Sequence, residues 1–369
     1  MAVNELQLGL IGAGVAVVGA VWIYNLWQER QHRKLAEKIF KGGQPDVLLQ
    51  GQGGEERTEP SAAPSQESPE RIEPAIEPTI PPAAPEPTEP APVPPVELAD
   101  EIADCMVSVA FPEPVSAPAL WSVQAAWAEG LGKPLAWLGY DAAGRAWKRL
   151  NAHDAGRYGK VVAALQLADR QGAASDDDVE AFLDGVQRLA SQFGGDAALP
   201  VADGVLEHAR SLDGFCAGVD VQLAVNVVET AGGSFMGTKL RGLAEAAGMA
   251  LDEDGRFHAR DEEGRELFSL SNLGPELFAA DSLKNLATVG ISFVLDVPRV
   301  ADGPAAFDRM VAAARVMSHA LGGAVVDAQR HALTDAMVIG IRSKVAEIQR
   351  QMAVNQIPPG GARALRLFS

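Results

Sequence analysis

Cysteine is nearly absent: Cys105 and Cys216 are the only two in 369 residues, more than 100 positions apart. No CxxC pair exists, which excludes zinc ribbons and thioredoxin-like redox chemistry. Isolated thiols of this kind are expected to be reduced and packed as small apolar groups. The six histidines (His32, His153, His208, His258, His319 and His331) form no HxxxH or HExxH pair. There is no GxSxG elbow and no GxxxxGK[ST] loop. Cys105 has no basic neighbour to activate it. No catalytic residue, metal site or cofactor is therefore expected. Positive charge is also scarce, with 31 Lys and Arg against 49 Asp and Glu and a net charge of −18. Outside residues 30–41 no long basic run occurs, so nucleic acid is excluded as a partner.

What is present begins with an apolar run. Leu6 to Trp27 carry no charged side chain over 22 residues, and about 20 suffice for a helix to cross a bilayer. Trp22, Tyr24 and Trp27 cluster at one end, where aromatic rings prefer the lipid–water boundary. Arg30, Arg33 and Lys34 follow within a basic juxtamembrane segment, 28–41, while no basic side chain precedes the run. This asymmetry predicts a single-pass protein of a bacterial inner membrane, with a periplasmic N-terminus and cytoplasmic soluble domains. A cleaved signal peptide would need a basic leader and a shorter apolar stretch. Gly12, Ala16 and Ala20 recur every four residues, a spacing that permits helix self-association.

Residues 42–99 change character. More than half of the 24 prolines lie between Pro60 and Pro95, punctuated by glutamates. Proline fixes φ and donates no amide hydrogen, and few bulky apolar groups are present to drive collapse. The segment is expected to be a disordered, extended linker.

From residue 101 the pattern becomes globular and repeats itself. The expected class is α+β: an antiparallel sheet with helices packed on one face and the other face open, in two degenerate copies. The first copy, 101–215, starts with a strand at Met106–Phe111 and a helix with Leu120, Val123, Ala126 and Trp127 on one face. A hairpin (135–150), a strand (160–168) and a helix over 176–193 capped by Ser175 follow, then a helix over 201–212. Asp176, Asp177 and Asp178 suit the start of a helix better than a cation site. The second copy, 219–352, places a strand at 221–227, a helix at 234–247, a hairpin, strands at 267–273 and 290–297, and helices at 304–321 and 335–352. Residues 353–369 read as a flexible tail. Alternation is sharpest in the second copy, where Val221, Leu223, Val225 and Val227 oppose Gln222, Ala224 and Asn226. Ile291, Phe293, Leu295 and Val297 likewise oppose Ser292, Val294 and Asp296. One sheet face can be buried; the other is small and mixed, a platform for a peptide or another protein.

Three stretches of the second copy are specific. Leu267-Phe268-Ser269-Leu270-Ser271-Asn272-Leu273, then Gly290 to Pro298, then Gly322 to Arg330 with a helix after Thr334, resemble the C-terminal domain of the ZipA cell-division family. The anchor and proline-rich linker resemble that family's plan. The resemblance implies a non-catalytic tether whose open sheet face binds the C-terminal tail of the tubulin-like division protein FtsZ, with membrane lipids as the other partner. It places the groove on Gln222, Ala224, Asp254, Arg256, Ser271, Leu273, Ser292 and Val294, with Arg330 at the edge. Gln222, Asp254 and Ser292 make this groove more polar than that of better-known members. Arg330 beside His331 reads either as a carboxylate grip or as a surface charge pair. A competing class, the periplasmic energy-coupling proteins of the TonB type, shares the span, linker and small domain. It requires basic residues before the span, where this chain has none.

Overall fold

The computed structural model describes residues 93–369. The expected span at 6–27, the basic segment at 28–41 and most of the linker lie outside the described residues. So do Trp22, Tyr24, Trp27, Arg30, Arg33 and Lys34, together with Gly12, Ala16 and Ala20. Among the described residues, no helix is long and apolar enough to cross a membrane. The chain divides at Pro90, and all that follows concerns the unit Ala91–Ser369.

The first half runs β1 (Asp104–Ser116), α1 (Ala117–Ala128), β2 (Leu135–Asp141), β3 (Ala146–Arg149), β4 (Arg157–Gln166), the two-residue strands β5 (Ala168–Asp169) and β6 (Gly172–Ala173), α2 (Asp176–Gln192), β7 (Asp196–Ala198) and α3 (Ala202–Val219). The second runs β8 (Gln222–Glu229), β9 (Phe235–Met236), α4 (Gly237–Ala246), β10 (Met249–Leu251), β11 (Phe257–Arg260), β12 (Glu266–Asn272), β13 (Ala287–Thr288), β14 (Gly290–Asp296), α5 (Gly303–Leu321), β15 (Gly323–Val326), α6 (Asp335–Val354) and α7 (Ala362–Leu367).

Two large antiparallel sheets result, beside the two-stranded pairs β5-β6 and β9-β13. The first has the order β3-β2-β4-β1-β7, the second β10-β11-β12-β14-β8-β15. Four strands in each share one arrangement: β7-β1-β4-β2 and β15-β8-β14-β12 both read 4-1-3-2 in chain order, the split βαβ layout. The expected hairpins are not equivalent, however. β3 follows β2 and extends the first sheet, whereas β10 and β11 precede β12 and extend the second.

Burial follows the pleat, since successive strand residues face opposite sides. In the second sheet Val225, Val227, Phe268, Leu270, Phe293 and Leu295 are buried beneath Phe307, Met310, Ala314 and Met317 of α5. In the first, Val107, Ala163 and Trp137 are directly opposed and buried. Phe111 on the same side of β1 meets Phe193 at the end of α2 edge-on, with ring centroids 6.0 Å apart.

Local sequence explains the helix ends. Ser175 accepts the Asp178 amide at 3.1 Å, and Asp178 accepts the Ser175 amide at 3.0 Å, a capping box. Burial pushes the Asp178 carboxyl up, but hydrogen bonds from Ser175 and from the Gly132 amide outweigh it and hold the group below its ordinary value. A depressed carboxylate stabilises the fold above its unfolded pKa and loses that contribution as pH falls. Ser175→Ala is expected to cost about 1 kcal/mol, read as a lower urea midpoint with an unchanged slope.

Several expectations need correction. In α1 the buried residues are Ala117, Leu120 and Gln124, and Ala126 is exposed. The helix at 234–247 starts only at Gly237, because Phe235 and Met236 pair with Thr288 and Ala287. α3 runs seven residues beyond Leu212, to Val219. Residues 353–369 are no flexible tail. They carry α7 and bury Ile357, Ala364, Leu367 and Phe368.

Candidate partner-binding face

Directly opposed residues of antiparallel strands point to the same face. On the side of the second sheet away from α5, Ser269, Val294 and Ala224 form one row. Ser271, Ser292, Asn226 and Val326 form the next, and Asp296 with Gln222 a third. Gln222 and Ala224 are exposed, while Ser271, Ser292 and Val294 are half-buried. Leu273 lies just past β12, its amide donating to the Gly290 carbonyl at 3.0 Å. A Cβ on Gly290 would come within 2.8 Å of Leu273 Cδ2. The missing side chain is what lets Leu273 lie against the sheet. Six of the nine residues expected in the groove are thus brought together: Gln222, Ala224, Ser271, Leu273, Ser292 and Val294.

The other three stand at the margins. Asp254 and Arg256 belong to the turn between β10 and β11. Asp254 accepts the Arg256 amide at 3.1 Å and lies 3.1 Å from His258 Nε2. His258 shares the row of Ser269 and is buried beside it. Glu266 Oε2 is 3.2 Å from its Nδ1, without hydrogen-bond geometry. Arg330 is exposed at the far edge, in the loop after β15. There Asp327 accepts the amides of Gln329 and His331 at 2.9 and 2.8 Å. This tight turn places Arg330 at φ +65°, in the left-handed region.

Two features carry no sequence signal. Asn226 looks in sequence like one more residue of the polar side. In the structure its Nδ2 donates to the Asp327 carbonyl at 3.4 Å, and its Oδ1 is buried without a partner. It is an unfilled acceptor in the middle of the face. Gln222 is already engaged, donating to Asp296 at 3.2 Å. Asp296 is held in turn by Arg170 of the first half at 2.8 Å, and Arg170 also grips Asp220 at 2.7 Å. Burial pushes the Asp296 carboxyl above its ordinary value, and Arg170 only partly offsets this. The Gln222 end of the face is therefore tied down, and its free apolar part runs from Ala224 across Val294 to Leu273.

Chemistry is sparse elsewhere. Cys105 and Cys216 are buried and unpaired. Burial, with Asp104 beside Cys105 and Asp213 and Asp220 near Cys216, pushes both thiols up to about 12, so neither offers a thiolate. Among the described residues no group of three or more His, Cys, Asp or Glu could hold a metal ion. His319 is exposed near the end of α5.

The comparison with known proteins falls on this same face. Residues 222–344 match the family model described as "ZipA, C-terminal FtsZ-binding domain". Over these residues the chain is similar to that family. The Cell division protein ZipA of Ectopseudomonas mendocina (strain ymp) is 34% identical over 158 residues, covering 41% of this chain and 58% of the relative. The ZipA of Pseudomonas putida (strain W619) is 32% identical over 137 residues, 36% of this chain and 47% of the relative. A third ZipA, from Pseudomonas putida KT2440, is 27% identical over 209 residues, 55% of this chain and 68% of the relative. The chain thus spans about half the length of the first two relatives. All six clustered groove residues fall within the ZipA-type segment.

Proposed function

We propose that this chain is a non-catalytic cell-division tether. In this reading the open face of its second sheet binds the C-terminal tail of FtsZ and links the FtsZ ring to the inner membrane. The observation that carries the reading is the uncovered strip from Ala224 across Val294 to Leu273, inside a segment matching an FtsZ-binding domain. A strip of this kind binds an extended or helical segment by burying a few apolar side chains, and the flanking polar groups set its register. The half-buried Ser271 and Ser292 supply that polar fringe. Asp254, Arg256 and Arg330 would meet the peptide only at its ends.

The membrane part of the proposal rests on the charge pattern of the sequence. An uncharged run from Leu6 to Trp27 is followed, not preceded, by Arg30, Arg33 and Lys34. The soluble part would then face the cytoplasm, with residues 42–99 as its spacer. The shared 4-1-3-2 strand order supports treating 101–215 and 219–352 as two copies of one fold.

The full chain should bind a fluorescent FtsZ tail peptide saturably. Leu273→Glu removes an apolar contact worth about 1.5–3 kcal/mol when fully buried, so binding should weaken by about 10–100-fold. Equal affinity for the wild type and Leu273→Glu, measured by anisotropy, would remove this face from the proposal.

A further inference from the structure

The first sheet has a counterpart of this open face, but there it is not open. Leu138, Val162 and Ala164 point away from the helices and are buried in a small cluster of their own under Ala99. Leu98, Met106, Ala136 and Trp147 pack around it. The expectation of an open face is therefore wrong for the first sheet. What closes it is the stretch leading from the linker into β1. This covering stretch does not join the sheet as a strand. The amides of Leu98 and Ala99 both turn back to the Pro95 carbonyl, at 2.9 and 3.3 Å. Val93 and Val96 on its outer side are exposed. The segment holds to the sheet through two apolar side chains and one long contact from Arg149 to the Leu98 carbonyl, at 3.5 Å.

What fixes it in place comes from the opposite end of the chain. Arg363 Nε donates to Asp100 Oδ1 at 2.9 Å, both side chains being less than a tenth exposed. Arg366 Nη1 donates to Asp104 Oδ2 at 2.9 Å, and its other amino group forms a second short bond to the same carboxylate. Asp104 also accepts the Asp100 amide at 2.8 Å, so both carboxylates belong to one turn. α7 is itself anchored, since Arg299 donates to the Phe368 carbonyl at 2.8 Å.

We propose that residues 95–100 are a built-in ligand of the first sheet's free face, latched there by Arg363 and Arg366. The first copy is then a closed binding face, and release of the latch exposes a patch suited to a short acidic, proline-containing segment carrying a leucine. A plug of this kind opens locally, without unfolding the sheet beneath it. Its position gives it a consequence: the segment sits where the linker enters the folded unit, so tension on residue 93 reaches Leu98 and Ala99 first and the two arginine–aspartate pairs after them. Breaking either pair leaves an uncompensated charge in a buried site.

The test uses the full chain in three forms: wild type, Leu98→Asp, and the double variant Arg363→Ala/Arg366→Ala. Hydrogen exchange is followed by mass spectrometry, and a fluorescent synthetic peptide of residues 93–104 is added in trans. The double variant should exchange at least tenfold faster over 95–104, while β4 keeps its wild-type protection. Leu98→Asp should bind the added peptide at least tenfold more tightly than the wild type, whose face is already filled. Loss of β4 protection in step with 95–104 in both variants would show the segment to be ordinary core and overturn the proposal. So would equal peptide binding by the wild type and Leu98→Asp.

Discussion

Replacing Phe293 by alanine is expected to lower the unfolding free energy by about 3–5 kcal/mol. Phe293 sits on the central strand of the second sheet with no exposed surface. Leu270 and Val225 flank it in register, and its ring lies 6.3 Å from that of Phe268. β14 is paired on both sides at Phe293 and its neighbours. The backbone therefore cannot collapse into the space left by the ring, and the cost should fall at the cavity-forming end of the range. Its neighbours in sequence, Ser292 and Val294, face the proposed groove. The same substitution should loosen that face, but as a consequence of lost packing. Chemical denaturation checks the first effect. A shift of less than about 1 kcal/mol would mean that the sheet is not packed as described.

The second large effect is in the first sheet. Trp137→Ala should also cost about 3–5 kcal/mol, because the residue is 2% exposed and directly opposed to Ala163. A paired substitution separates volume from polarity. The indole Nε1 of Trp137 is buried and has no hydrogen-bond partner. A buried donor left unpaired already carries a desolvation penalty of about 1–3 kcal/mol, which phenylalanine would remove along with some volume. Trp137→Phe should therefore cost far less than Trp137→Ala, with the two effects partly cancelling. Equal losses for the two variants would argue that the indole N–H does find a partner.

How much of this was legible in sequence follows from which interactions are local. Strand alternation and helix caps are properties of a few consecutive residues. The second sheet's buried stripe, the Ser175 cap and the stop of α5 at Gly322 (φ +71°) could thus be read directly. The groove positions came from the resemblance alone; alternation shows no more than that Gln222, Ala224, Ser271, Ser292 and Val294 lie on one face. The failures are non-local. Nothing near Asp100 or Asp104 points to Arg363 and Arg366, whose partners lie more than 260 positions away in the chain. Without those pairs, residues 353–369 read as a flexible tail. Strand alternation in 106–110 and 160–164 likewise cannot show that Leu98 and Ala99 return to cover that side. The buried face of α1 was misassigned because it was read on apolarity alone: Ala126 is apolar but exposed, and Gln124 is polar but buried. The tie from Arg170 to Asp296 and on to Gln222 joins the two halves, and pattern within either half does not reveal it.

The central claim is that one face of the second sheet, and no other surface of the folded unit, receives the FtsZ tail. Hydrogen exchange of the full chain with and without saturating tail peptide tests this most directly. The account predicts added protection confined to 222–228, 269–273 and 290–296, with the first sheet unchanged. Protection centred on the first sheet, or none anywhere at a peptide concentration that saturates binding, would contradict it.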